Sequence, residues 1–523
     1  MPQGKVVARA AGILMAAMLV SRLLGYVRDM VIYSWFGQSW ITDAYNAAFS
    51  LPDFIYALLV GGALSSAFIP VFSSYLARNE EDEAWKLASI LFNFVILVMA
   101  TLLTLAAIFT KPLILLMVPG LPTESITLAV ILTRVMLIQS FFMALNGISL
   151  GILNSRHNFI VPAIGSILYN LGVIVVGIGL AHYWGIMAFA VGVVLGSVIN
   201  FSIQLPALIK TGIKYVPSFN FRHPGFVQML TLMVPVLVGL SVTQLNLFVN
   251  QNLASHLAEG TISALRLAQR LMMLPLGIFG TSVAMAVFPT MTTQTARGEI
   301  KQFKRTFSMG LRGIFLITIP AGVGLMALRE PIISLLFLQG KFNSGDVALT
   351  AQALFFYAIG VFAYSSLQVL NRAFYALKDT ITPVVSGVTS IGINIFLSTL
   401  LVRYMEHRGV ALAYTLAGTV NMIALGIILR LRVGRLGGYK IMKSLAIFIG
   451  ASLVMYFVTT EFVSYLDQYL SFAPKINQAV TVFSGMIVGA LVYGVSVMAF
   501  RLEETSLVLE MVKRRLPGLP FKF

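Results

Sequence analysis

The chain has no cysteine, which removes disulfides, thiol catalysis and thiolate metal sites at once. Charge is scarce as well. Only 11% of the 523 residues are Asp, Glu, Lys or Arg, against 58% hydrophobic, and mean hydropathy is +0.90. A soluble domain needs polar groups over most of its surface, so this composition argues against one. The histidines (His157, His182, His223, His256 and His407) stand singly, without metal-ligand spacing, and read as loop or interfacial residues. A cleaved signal peptide is not expected, because the first apolar run continues past Arg22, Arg28 and Asp29 with no small-residue cleavage site.

What the chain does have is apolar runs of membrane-crossing length, about 20 residues for a hydrocarbon core of about 30 Å. They fall near 8–33, 42–75, 84–109, 124–150, 159–182, 185–208, 226–256, 261–294, 304–328, 345–371, 380–402, 409–429, 444–464 and 476–500. The formal charge is +17, which raises the question of nucleic acid, but its distribution points elsewhere. With the N-terminus inside, 24 of the 36 Lys and Arg lie in inside segments, 6 outside and 6 within helices. That bias is the positive-inside rule and places both termini in the cytoplasm. The basic excess then serves topology and attraction to anionic lipid headgroups, and no nucleic-acid partner is expected.

The chain also repeats itself. Ala67 to Glu80 (AFIPVFSSYLARNE) lies over Ala286 to Glu299 (AVFPTMTTQTARGE), and Lys111 to Gly120 over Glu330 to Gly340. Pro70, Pro112 and Pro162 fall on Pro289, Pro331 and Pro383, at offsets of 219, 219 and 221. An offset near 220 spans six helices, an even number, so both halves enter from the same side. This is a parallel repeat, a class that places its site between halves. The expected fold is therefore all-α and polytopic, with about 14 transmembrane helices. Six-helix lobes occupy 1–215 and 216–438, and 439–523 adds two helices and a basic cytoplasmic tail. The two added helices are expected to be dispensable for folding of the core.

Ionisable groups inside spans cost about 2.5–3.5 kcal/mol each on translocon scales and mark function. The first span carries Arg22, Arg28 and Asp29, with Arg22 and Asp29 seven residues apart on one face. The second carries Asp43, Asn46, Ser50 and Asp53 in one polar arc, with Pro52 interrupting it. Gly61, Gly62 and Gly280 give the second span of each half a thin stretch, suited to bending or to close packing. The eighth carries Arg266 and Arg270, one turn apart. The repeat overlays Asp43 on Ser263, Asn46 on Arg266 and Ser50 on Arg270, so a polar cavity is expected along the first, second and eighth spans. Like charges at i, i+4 repel, and an anion between the two arginines would relieve that. Guanidinium suits phosphate through paired hydrogen bonds. The structural alternative is that the arginines pair with carboxylates merely to hold helices. Arg312, near a span end, reads as structural; Arg134, also near an end, could snorkel.

These residues carry a resemblance. SRLLGYVRD (Ser21 to Asp29), TDAYNAAFSLPD (Thr42 to Asp53), GILNSRHNFIVPA (Gly151 to Ala163), RLMMLPLGIFG (Arg270 to Gly280), LQGKF (Leu338 to Phe342) and FYALKDTITP (Phe374 to Pro383) resemble, in order, the MurJ/MviN lipid II flippase family. The resemblance implies a fourteen-helix member of the multidrug/oligosaccharidyl-lipid/polysaccharide exporter superfamily, in the bacterial cytoplasmic membrane. It implies a central cavity, a groove for the polyprenyl tail on the added helices, and lipid II as substrate for peptidoglycan and cell wall biogenesis. Arg22, Arg28, Asp43 and Arg270 fall on positions the family needs. The best-studied branch has an arginine where this chain has Tyr56 and a glutamate where it has Gly61, so the second span is less charged here. Some members hold sodium with carboxylates where this chain offers Asn246, Asn250 and Asn394. No cofactor is expected, and coupling is left to the membrane potential or a monovalent cation. Cell-wall synthesis proteins are the other partners implied.

Two other functions compete. An exporter of a different lipid-linked oligosaccharide, or of a small amphipathic drug, would share the fold, but a cavity for cationic drugs favours acid over this excess of arginine. A membrane enzyme would need a catalytic loop, and no outside loop exceeds about 20 residues.

Overall fold

The computed structural model describes residues 3–59, 63–156, 158–469, 473–500 and 502–504. Gly61, Gly62, His157 and the basic tail with Lys513, Arg514 and Arg515 lie outside the described residues. Among the described residues every regular element is a helix. In chain order these are α1 (Gln3–Phe36), α2 (Trp40–Ala48), α3 (Ser50–Leu59), α4 (Ala63–Ala77), α5 (Glu81–Ile108), α6 (Thr110–Met117), α7 (Thr123–Ser155), α8 (Ile160–Trp184), α9 (Met187–Ser202), α10 (Leu205–Lys210) and α11 (Pro224–Ser255). They continue with α12 (Thr261–Pro275), a π turn (Leu276–Gly280), α13 (Thr281–Ala296), α14 (Ile300–Ala327), α15 (Arg329–Phe337), α16 (Ser344–Ile359), α17 (Val361–Ala376), α18 (Ile381–Met405), α19 (His407–Val433), α20 (Gly438–Tyr469) and α21 (Pro474–Met498).

Ten described stretches are long and apolar enough to cross a membrane, and eleven with the pair α16 and α17, bent by 41°. The other three spans read from the sequence fall on α1, on the broken run α2 to α4, and on α11. The protein is a multi-pass membrane protein. The short helices α6 and α15 were not expected; eight and nine residues are too few to register as spans.

The repeat is written into the element boundaries. Helices α5 and α14 both have 28 residues and begin 219 residues apart; α8 and α18 both have 25 and begin 221 apart. Even the turn after the latter pair is shared. Gly185 has φ 55°, ψ −136° and Glu406 has φ 53°, ψ −135°. That backbone is open to glycine and strained for glutamate.

Proline explains the breaks. Pro52 has no N–H for the carbonyl of Ala48, and α2 gives way to α3 at Phe49. The freed carbonyl accepts the Thr133 hydroxyl of α7 at 3.4 Å, while Ser140 donates to the Pro52 carbonyl at 3.0 Å. Membranes tolerate broken helices where protein supplies such partners. Pro275 likewise precedes the π turn, where Thr281 N–H reaches the Leu276 carbonyl. A Cβ on Gly280 would stand 3.2 Å from Ser365, so this glycine serves close packing.

The chain forms two compact units, Met1–Ser263 with Gln339–Phe342, and Ala264–Leu338 with Asn343–Phe523. In the first, Phe68, Phe72, Trp85 and Phe226 centre one core, and Tyr45, Phe189 and Val193 another. Three consecutive carboxylates in the first turn of α5 tie down its surroundings. Glu81 pairs with Arg156 at 3.0 Å, Asp82 with Lys214 at 2.7 Å and Glu83 with His223 at 2.9 Å. His223 is buried, and its Nδ1 accepts from Gly225 N–H at the start of α11. His223 thus lies in the loop before α11, as read from the sequence, and is buried there; His407 is buried too, but in the first turn of α19 beside the Leu349 carbonyl rather than in a loop. The His223 hydrogen bond holds the Glu83 carboxyl below its ordinary range.

The first unit also contains two matched seats. Gly120 N–H donates to Ser255 Oγ at 3.1 Å at the end of α11. Lys341 N–H donates to the Ser34 carbonyl at 2.8 Å near the end of α1, and Phe342 packs edge-on to Tyr33. Gly340, at φ 61°, lies so close that a Cβ would overlap the Ser34 carbonyl.

In the second unit Phe303, Phe307, Phe374 and Phe448 share one core, so α20 packs in the same interior as α14 and α17. Arg312 of α14 is buried and paired with Glu503 and Glu504 beyond α21, and Lys440 joins Glu503 at 2.9 Å. Tyr493 of α21 donates to the Leu316 carbonyl at 2.8 Å. These contacts weigh against the added helices being dispensable for folding, because their removal would take away both carboxylate partners of Arg312. Its structural role stands. In the FYALKDTITP segment, Asp379 caps α18 through Ile381 N–H, Thr382 N–H and the Thr382 hydroxyl, and also pairs with Arg432. Burial opposes its ionisation, but these bonds outweigh it and hold its carboxyl below the ordinary range.

Candidate functional site

The arginines of α1 take different positions. Arg22 is exposed. Arg28 folds back so that Nε and Nη2 both donate to Asp29 Oδ1, at 3.1 and 3.0 Å. Both side chains are largely buried, at 16% and 12% exposure, where a charge-assisted pair is strong. The seven-residue spacing marked Arg22 for Asp29's face; the length of the Arg28 side chain lets the adjacent residue reach it. Helix α1 is held to α8 by Asn170, whose amide donates to the Ser21 carbonyl at 3.3 Å.

Asp43 is 1% exposed and lies at the N-terminus of α12. Its Oδ2 accepts Gly260 N–H at 2.8 Å, and Oδ1 accepts both the N–H and the hydroxyl of Ser263, at 2.9 and 2.7 Å. A helix start presents unpaired N–H groups and positive dipole, so a carboxylate is stabilised there. The arrangement is reciprocal: Glu259, just before α12, accepts Trp40 N–H at 2.7 Å at the start of α2. Asn46 donates to Ser263 Oγ at 2.9 Å and to the Tyr33 hydroxyl at 3.3 Å. Asp43, Asn46 and Ser263 thus meet in one buried knot with Tyr33, all within the first unit.

Ser50 donates to Gln251 of α11 at 2.5 Å. Asp53 is half-buried on α3, and Tyr56 is half-buried against the Phe68–Phe72 core. On α12, Arg266 is exposed and Arg270 half-buried, while Leu265, Leu267, Ala268 and Leu271 are buried. The two arginines therefore share the one open stripe of an otherwise packed helix. Glu259, Gln251 and Tyr33 were not singled out from sequence. Glu259 and Gly260 stand at the repeat offset from Ser39 and Trp40, and the overlay of helix starts was the signal that could have found them.

The asparagine candidates lie on α11 and α18. Asn246 of α11 is 8% exposed and its Oδ1 accepts no bond; Asn394 of α18 is 2% exposed and neither of its side-chain polar atoms is bonded. Asn250 is half-buried. Amide oxygens suit a monovalent cation only weakly without a carboxylate, and among the described residues no group of three His, Asp or Glu side chains is placed to hold a metal ion. The second unit holds an apolar cavity of about 260 Å³ lined by Val323, Phe362, Leu445, Ile449 and Leu453, among others.

Comparison with known proteins adds to this geometry. The family model described as lipid II flippase MurJ matches residues 32–479. A probable lipid II flippase MurJ of Buchnera aphidicola subsp. Acyrthosiphon pisum is 31% identical over 78% of this chain and 80% of its own. One of Vibrio cholerae is 31% identical over 79% and 81%. A solved lipid II flippase MurJ in an inward closed conformation superposes with TM-score 0.80 at 28% identity, covering 93% of this chain and 98% of that one. An inward-facing multidrug transporter of the MATE family matches at TM-score 0.70 and 16% identity, over 82% and 98%, a likeness of fold alone.

Proposed function

The chain belongs to the lipid II flippase MurJ family, and we propose from that premise that it moves lipid II from the inner to the outer leaflet by alternating access. The observation that carries this reading is that the family match runs through both repeats, from α1 into α21. The protein is a transporter. Export of another lipid-linked oligosaccharide or of a drug is not favoured.

Arg22, Arg28, Arg266 and Arg270 are the groups we assign to the pyrophosphate, with Asp29, Asp43, Asn46, Ser50, Asp53 and Ser263 tuning them. Their chemistry supports the assignment. Guanidinium matches phosphate oxygens in pairs, and a site screened from water strengthens each bond. Arg28 already shares Asp29, so binding there exchanges one anion for another, and release reverses the exchange. Asp43 takes part as the partner of a helix start that must let go during the cycle. The apolar cavity beside α20 suits a polyprenyl tail. The repeat supports lobes over 1–215 and 216–438, with 439–523 added, and the Lys and Arg bias supports cytoplasmic termini in the bacterial cytoplasmic membrane. The membrane potential or a monovalent cation is the driving force we assign, with anionic lipids and cell-wall synthesis proteins as surroundings.

The test is complementation of a strain depleted of its own flippase, with lipid II accessibility read on the outer face. Restored growth with outer-face substrate supports the proposal. Stable expression with substrate accumulating inside refutes it.

A further inference from the structure

The segment that joins α10 to α11, residues 211–223, contains neither helix nor strand and runs along α5. Its ends are held at the first turn of α5, where Lys214 pairs with Asp82 and His223 with Glu83. Its middle reaches further along that helix. Val216 N–H donates to Ser89 Oγ at 3.0 Å. Asn93 Nδ2 donates to the Ser218 carbonyl at 2.9 Å, and Asn93 Oδ1 accepts the Tyr215 hydroxyl at 2.6 Å. Phe221 stands edge-on to Phe94. At about 1.5 Å per residue, Asn93 lies about 10 Å past Lys86, the last charged residue of α5. The segment therefore dips alongside a helix that is long and apolar enough to cross the membrane, and returns.

Irregular backbone at membrane depth needs its polar groups satisfied by protein. This segment meets that condition. Besides Val216, the N–H groups of Asn220, Phe221 and His223 donate to Ser218 Oγ, the Phe219 carbonyl and the Asn220 carbonyl, at 3.4, 2.9 and 3.0 Å. Pro217 has no N–H to satisfy. Ser89 and Asn93, which receive the segment, are buried polar groups within a span. The second repeat has the same seat with less chain in it. Ser89 and Asn93 fall on Ser308 and Arg312 of α14, at the offset of the two helix starts. There the chain between α19 and α20 is only the turn 434–437, and a Cβ on Gly437 would stand 3.7 Å from Ser308 Oγ. A short turn is enough to leave the sixth span of a repeat. The first repeat adds length, and the added residues carry exposed apolar side chains.

Those side chains are Tyr215, Val216, Phe219 and Phe221, with Phe219 63% exposed. Ile96 and Leu97, one turn past Asn93 on the same face of α5, are exposed as well and continue the apolar surface. Lys210 and Arg222, also exposed, flank the segment. Aromatic rings between cations suit the boundary of headgroups and acyl chains, where rings meet the chains and cations meet lipid phosphate. We propose that residues 214–222 form a re-entrant strap inserted into the leaflet at which α5 begins, the inner one under the orientation proposed above. Tyr215, Val216, Phe219 and Phe221 lie against acyl chains, and Ser89 and Asn93 are the seats that hold the strap there. The join between the two repeats is thereby anchored in lipid. The inference rests on the chain being a membrane protein and not on what it carries.

The chain has no cysteine, so single nitroxide labels can be placed at Phe219→Cys, at Leu97→Cys as a reference within the span, and at Arg435→Cys as a reference in the turn 434–437. Electron paramagnetic resonance of the full chain in nanodiscs compares collision with oxygen, which enters lipid, and with a nickel chelate, which stays in water. The label at 219 should match the one at 97, with nickel access at least tenfold below that at 435. Asn93→Leu keeps α5 apolar and removes a seat, so nickel access at 219 should rise toward the value at 435. Ser89→Ala makes the same test should Asn93→Leu fail to fold. A label at 219 that meets nickel as freely as the one at 435 overturns the inference and leaves the aromatic face to a partner on the water side. Access at 219 unchanged in both seat variants overturns the role of Ser89 and Asn93. Neither result depends on the complementation, which reads transport alone.

Discussion

Asp43 and Ser263 are 220 residues apart, occupy equivalent places in the two repeats, and are bonded directly to each other through both the N–H and the hydroxyl of Ser263. A buried carboxylate with three such donors is committed to this arrangement.

Asp43→Asn should keep the fold, since an amide oxygen can still accept one N–H, but should slow lipid II turnover at least tenfold while substrate binding is kept. With Ser263→Ala in a double-mutant cycle on thermal stability, a coupling of about 0.5–3 kcal/mol is expected. Additive effects would show that the bond contributes nothing.

Arg270→Lys keeps the charge and loses the planar fork. Affinity for a soluble pyrophosphate-sugar analogue should fall about tenfold, and Arg266→Ala with Arg270→Ala should abolish it. Unchanged affinity in the double variant would leave both arginines as structural groups.

Glu504→Ala should lower stability by about 3–5 kcal/mol, because Arg312 would keep only the more exposed Glu503. Replacing both buried partners, Arg312→Met with Glu504→Leu, should recover most of that loss. Thermal unfolding in detergent reads both.

Glu406→Gly should stabilise the protein by about 0.5–2 kcal/mol, as the strain at φ 53° exceeds the added entropy of an unfolded glycine. A lower melting temperature in this variant would contradict the repeat-derived account of that turn.

The staple at the head of α5 should be sensitive to acid. Glu83 titrates lower folded than unfolded, so its contribution is present above the unfolded value of about 4.3 and is lost as pH falls through its folded value. Hydrogen exchange over residues 211–223 should rise as pH drops below about 4.5, after correction for intrinsic rates. His223→Ala should bring that rise to neutral pH.

Much of this was legible in the chain. The repeat offsets of the prolines reappear as offsets of helix starts, because proline sets where helices break. The charged residues of α1, α2 and α12 stood out because charge is rare among apolar runs. Overlay in sequence does not state adjacency, however, so Asp43 and Ser263 were named as counterparts without being seen as partners. Glu259 escaped because a carboxylate in a loop carries no signal until a helix start is placed beside it. Arg312 was assigned a structural role, yet its partner Glu503 lies 191 residues away, beyond reach of any local pattern. That same distance hid the ion pairs that join Arg312 to the segment after the added helices.

The matched seats of Gly120 at Ser255 and Lys341 at Ser34 bear on where such a chain came from. Each half lends a loop to the first long helix of the other. A gene encoding one half would have had both of its seats filled only by a second copy of itself, as an isologous homodimer with exchanged loops. In the joined chain no second copy has to be found, and the two copies differ: aspartate stands at 43 where serine stands at 263, and arginines stand at 266 and 270 opposite Asn46 and Ser50. A half expressed alone today should therefore be an obligate partner-seeker, stable only when its missing counterpart is supplied as a separate chain.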